Sequence, residues 1–74
     1  MTIRAGTLLQ GEQWAVRVTE VKPEETGFTI KGTLWRSNGP IRVLDFHVSK
    51  LEGALAAFHT HIEEMIETFK HHGV

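Results

Sequence analysis

Histidine supplies most of the reactive side chains in this 74-residue chain, which contains no cysteine and no tyrosine. The histidines are His47, His59, His61, His71 and His72. His59-Thr60-His61 has the outline of a metal motif. On a helix, however, two positions apart means about 200° of rotation, so these two rings cannot reach one ion. His59 pairs better with Glu63 one turn on, and His61 with Glu64. A pair of ligands on one helix falls short of the four that a structural zinc site requires. The expectation is a solvated helix face with His–Glu contacts, holding no metal and no cofactor. His71 and His72 sit where a helix C-terminus favours positive charge.

Nucleophilic chemistry has little to draw on. Ser37 falls in a turn and Ser49 at a helix cap. Acid–base catalysis needs groups converging on a substrate, and Asp45, the acid inside a strand, faces Lys31. The glycines are scattered and form no phosphate-binding loop. The chain therefore reads as a non-enzyme.

Surface recognition is the chemistry that remains. Trp35 is a stacking platform, and Arg17, Lys31 and Arg36 are cations able to contact phosphate. Aromatic stacking beside cations is how single-stranded DNA or RNA is held without sequence preference. Tryptophan and arginine also mark protein interfaces. The alternative function is an accessory or regulatory protein–protein interaction module with no nucleic-acid binding.

These residues must be positioned by the sheet that the first fifty residues predict. Turn signals at Gly11-Glu12, at 22–27 and at 37–40 separate strands at about 3–9, 13–21, 28–36 and 41–48. Short connections favour antiparallel hairpins. A three-residue loop, Ser37-Asn38-Gly39, with Gly39 left-handed, keeps Phe28, Ile30, Gly32 and Leu34 on the face of Arg42, Leu44, Phe46 and Val48. A two-residue loop scrambles both faces, and Pro40 lacks the N–H to close it. The same logic pairs Trp14 with Leu34, Val16 with Gly32 and Val18 with Ile30. Gly32 then leaves room for Trp14, Phe46 or a helix residue. The outer face becomes the rows Gln13–Trp35–Ile41, Ala15–Thr33–Val43, Arg17–Lys31–Asp45 and Thr19–Thr29–His47.

The C-terminal third is one amphipathic helix. Leu51, Leu55, Phe58, Ile62, Met65 and Phe69 recur at alternating spacings of four and three, with Ala54 and Ile66 widening the stripe. Ser49-Lys50-Leu51-Glu52 reads as a capping box and Gly73 as a stop, placing the helix at about 50–71. The fold class is α+β: a four-stranded antiparallel meander with one long helix packed on one face, in a single domain over 1–74.

So small a chain buries only about 60% of its unfolded surface, and disulfides cannot help. A helix of ~33 Å overhangs a four-stranded sheet ~19 Å wide, exposing Met65, Ile66 and Phe69. Together with Ile41 and Val43 these form an expected interface of a homodimer or higher homo-oligomer. Net charge is −1, which disfavours general polyanion binding. The cations gather in the sheet half and the acids on the helix. No run reaches the ~18 apolar residues of a membrane span, and no signal pattern opens the chain. The expected setting is soluble and cytoplasmic, away from membranes.

Overall fold

The computed structural model describes residues 2–37 and 39–71, except for the side chains of Lys70 and His71. Four strands precede one helix: β1 (Leu8–Gly11), β2 (Trp14–Glu24), β3 (Gly27–Arg36), β4 (Arg42–Val48) and α1 (Ala54–His71). The strands form one antiparallel sheet in chain order, and α1 lies on one face of it. The fold is the ββββα α+β arrangement that the sequence predicts. No helix among the described residues is long and apolar enough to cross a membrane.

The first strand starts later than expected, at Leu8 rather than near residue 3. Gly6 adopts φ +93°, and Thr7 N–H closes a turn onto the Arg4 carbonyl at 3.0 Å. That turn drops Ile3 into the core, where it is 2% exposed. The backbone of 6–7 then borders β2. Gly6 donates to the Val18 carbonyl at 2.7 Å and Val18 donates to Thr7 at 2.8 Å.

The β3–β4 register is the expected one, with Leu34 opposite Arg42, Gly32 opposite Leu44 and Phe28 opposite Val48. The loop conformation itself turns on Asn38, which lies outside the described residues. The β2–β3 register differs from expectation by two residues. Val16 faces Leu34 and Val18 faces Gly32. A bulge between Val18 and Glu20 then resets the pairing, so that Val21 meets Ile30. Thr19 is the extra residue, and its hydroxyl donates to the Lys31 carbonyl at 3.3 Å. The physical cause is the apolar pattern. Val18 and Val21 are three apart, and an inserted residue returns Val21 to the inner face.

The core joins Trp14, Val16, Val18, Ile30 and Leu34 of the sheet to Ala54, Phe58, Ile62 and Ile66 of the helix, with Ile3 and Leu9 closing one end. Gly32 is filled by neither Trp14 nor Phe46. The Val16 Cγ1 methyl lies 2.9 Å from where a Cβ would stand.

The capping box is not formed. Gly53 has φ +74° and its carbonyl accepts from Ala57 at 3.1 Å, so Gly53 caps α1 and the helix begins at Ala54. Left-handed backbone cannot continue a right-handed helix, which is why Ser49 and Glu52 stay outside it. The expected stop at Gly73, like His72, lies outside the described residues. The expected overhang also fails. The helix has 18 residues and is ~27 Å long, shorter than the ~33 Å expected. Ile66 is buried, and Met65 and Phe69 are half-buried within the chain.

Candidate functional site: the outer face of the sheet

Strand alternation puts Leu8, Gln10, Ala15, Arg17, Trp35, Thr33, Lys31, Thr29, Val43, Asp45 and His47 on the face away from α1. Cross-strand pairing orders them. Gln10, Ala15 and Trp35 form one row, and Leu8, Arg17, Thr33 and Val43 the next. Glu20, Lys31 and Asp45 follow beyond the bulge, then Lys22, Thr29 and His47. The expected rows were shifted on β2: Ala15, not Gln13, lies beside Trp35, and Arg17 faces Thr33 rather than Lys31.

The bulge divides this face into two unlike halves. One is apolar: Leu8 is 49% exposed, Trp35 40%, Ile41 64% and Val43 76%. Arg17 stands among them. The turn at this end is tied down by Ser37 N–H, which donates to the Gln13 carbonyl at 3.1 Å. Gln13 itself is held at φ 67°.

The other half is charged and balanced. Lys31 sits between Glu20 and Asp45 in the register. Glu24 accepts a hydrogen bond from the Thr29 hydroxyl and lies 3.8 Å from His47 Nδ1. The Thr26 hydroxyl is 3.5 Å from His47 Nε2. Hydroxyl, imidazole and carboxylate thus stand in the order of a catalytic relay, but at long distances on an open sheet. The His47 and Glu24 side chains are 49% and 40% exposed. Nucleophile activation needs close hydrogen bonds, and these separations are 3.8 and 3.5 Å.

The four residues expected to bind ligand do not share one surface. Trp35 and Arg17 lie in adjacent rows of the apolar half, and Lys31 is in the charged half. Arg36 points to the opposite face, where its guanidinium lies 4.6 Å from the centre of the Phe69 ring. Arg42 covers the same ring from 4.9 Å. Of the expected interface residues, Ile41 and Val43 are on the outer face, while Met65, Ile66 and Phe69 pack beneath the sheet.

The histidines divide similarly. His59 Nδ1 is 3.4 Å from Glu63, as the helical spacing predicts. His61 does not pair with Glu64 but stacks on Phe46, with ring centres 4.7 Å apart. No group of three or more His, Cys, Asp or Glu among the described residues is placed to hold a metal ion.

Leu8 and Glu20 are outer-face residues that the sequence reading missed. The signal for Glu20 was the Val18–Val21 spacing; for Leu8 it was Leu9, whose burial sends its neighbour outward. Comparison with protein-family models, curated proteins and solved structures finds no match to this chain.

Proposed function

We propose that this chain is a non-enzymatic, homo-oligomeric binding module, cytoplasmic in setting, whose outer sheet face docks against the surface of another protein. The observation that supports this is the exposed group Leu8, Trp35, Ile41 and Val43 at one end of the sheet. Scattered apolar residues need no explanation, but Trp35, Ile41 and Val43 neighbour one another at the end of β3 and the start of β4, with Leu8 on the far side of Arg17 and Thr33. An exposed tryptophan beside aliphatic side chains is the pattern of an interface core. Arg17 adds a polar anchor of the kind that hot spots use. The adjoining charged half alternates sign, giving a rim able to discriminate among partners by charge.

Single-stranded DNA or RNA is the second reading, favoured by the exposure of Trp35 next to Arg17. It has weakened relative to the sequence expectation. Glu20 and Asp45 flank Lys31, and Arg36 is engaged on the other face. Binding along a phosphate backbone calls for a track of cations.

The two readings separate by experiment. A short mixed-sequence single-stranded oligonucleotide is titrated into the protein while tryptophan emission is followed at two salt concentrations. Quenching that collapses at high salt and is absent in Trp35→Ala replaces the protein reading with the nucleic-acid one. A photo-crosslinking residue at Ile41 then tests the protein reading directly. A discrete adduct with a second protein species, lost in Trp35→Ala, supports it; no adduct and no quenching overturn both.

A further inference from the structure

The sheet has three stretches of open edge, and two of them are guarded. β1 is four residues long, and the Gln10 carbonyl is engaged by His59 Nε2 at 3.3 Å. The distal half of β2, beyond its pairing with β1, carries the bulge, Lys22 and Pro23. Bulges, lysines and prolines are the usual devices that keep an edge from pairing with another chain. β4 has no bulge, lysine or proline; its charged residues are Asp45 and, at its first position, Arg42, whose guanidinium is held over Phe69. It is seven residues long and runs in unbroken register with β3.

The side chains beside this edge are also incompletely covered. Val16, Val18, Ile30 and Leu34 on the inner faces of β2 and β3 are 0% exposed. Leu44, Phe46 and Val48 on the inner face of β4 are only half-buried. The helix covers the centre of the sheet and leaves an apolar strip along the β4 flank.

We propose that β4 pairs antiparallel with β4 of a second copy about a two-fold axis at Phe46, joining two sheets into one of eight strands. This rests on the homo-oligomer reading above, but not on what the outer face binds. The second copy is favoured because the strand is complementary to itself in this register. Two-fold pairing keeps each face on its own side, so the axis must pass through a residue. Centred on Phe46, it places Leu44 opposite Val48 of the other copy on the helix side. On the outer side it places Asp45 opposite the other copy's His47. Centred on Asp45, it sets two carboxylates against each other; centred on Leu44, it sets Val43 against Asp45. Cross-strand pairs of matched chemistry stabilise a ladder and like charges oppose it. In the Phe46 register the two Phe46 rings meet at the axis. Each is already stacked on its own Phe58, with ring centres 5.2 Å apart.

The test combines light scattering with amide hydrogen exchange across a range of protein concentrations. The expected result is dimer mass at the upper end, where the β4 amides that exchange freely in dilute solution slow by about tenfold, with β1 unchanged. Asp45→Lys weakens dimerisation by about tenfold. A dimer whose β4 amides exchange at the dilute rate overturns edge pairing and leaves the homo-oligomer reading intact. A monomer at every concentration overturns both. Protection of β4 with no effect of Asp45→Lys overturns the Phe46 register. Protection that needs a different protein makes that protein, not a second copy, the occupant of the edge.

Discussion

Arg36 shows how one side chain changes its role once its face is known. In the sequence it is a cation next to Trp35; in the fold it is a lid over Phe69. Its guanidinium packs on the ring at 4.6 Å, and its Nε is buried without a hydrogen-bond partner. Arg36→Ala removes both the cation–π contact and the apolar stem. The expected cost is about 1–2 kcal/mol of folding stability. Arg17→Ala, on the exposed face, should stay within about 0.5 kcal/mol. Urea unfolding of the two variants checks the contrast, and equal effects would mean that Arg36 is not packed as described. Gly32 makes the complementary case in the core. An added methyl meets Val16 Cγ1 at 2.9 Å and the Arg17 carbonyl at 3.1 Å, one of them backbone that cannot rotate away. Gly32→Ala is therefore expected to lose about 1–3 kcal/mol by overpacking, read as a lower urea midpoint at unchanged slope.

At the scale of elements, the start of α1 gives a sharp test. If Ser49 capped the helix, Ser49→Ala would cost about 1 kcal/mol. With Gly53 in the capping position, Ser49→Ala should be nearly neutral. Gly53→Ala should instead cost about 1 kcal/mol for the left-handed backbone, since nothing lies within 4 Å of the added methyl. Thermal unfolding of the pair decides between the two caps. The same segment shows what was legible beforehand. The apolar stripe from Ala54 to Phe69 identified α1, because period-3.6 burial leaves a strong imprint. Its first turn was misjudged because Ser-x-x-Glu is a local signal that a left-handed glycine can cancel. The β3–β4 register was legible because Phe28 through Val48 alternate strictly. The β2–β3 register was not, since Thr19 breaks alternation and a meander drawn without a bulge has nowhere to put it. The β2–β3 register, set by the tight turn that pairs Glu24 with Gly27 and by the bulge at Thr19, decided how far the site could be read. It moved Arg17 away from Lys31, set Glu20 beside Lys31, and turned an expected cationic track into a balanced one. Trp35, Ile41 and Val43 do not owe their face to it and were placed correctly.

For the molecule as a whole, the governing fact is that one helix must cover a four-stranded sheet. Phe58 and Ile62 are wholly buried against the centre, yet the flank at β4 stays half-open and the outer face carries exposed Leu8, Ile41 and Val43. A domain of this size keeps a narrow stability margin. Phe58→Ala, which empties the middle of the core, is expected to cost about 3–5 kcal/mol and to leave little or no folded protein at 37 °C. Far-UV and near-UV circular dichroism would show the loss. The same narrow margin makes association visible in unfolding. If a second copy binds the folded chain and not the unfolded one, each tenfold rise in protein concentration above the dimer Kd adds about 1.4 kcal/mol per dimer, or about 0.7 kcal/mol per chain, to the apparent stability. The urea midpoint should then climb with concentration. Trp35→Ala should not alter that slope, because Trp35 lies on the outer face, whereas Asp45→Lys should flatten it. A midpoint independent of concentration would mean that a single copy closes its own core, with the β4 flank left to solvent.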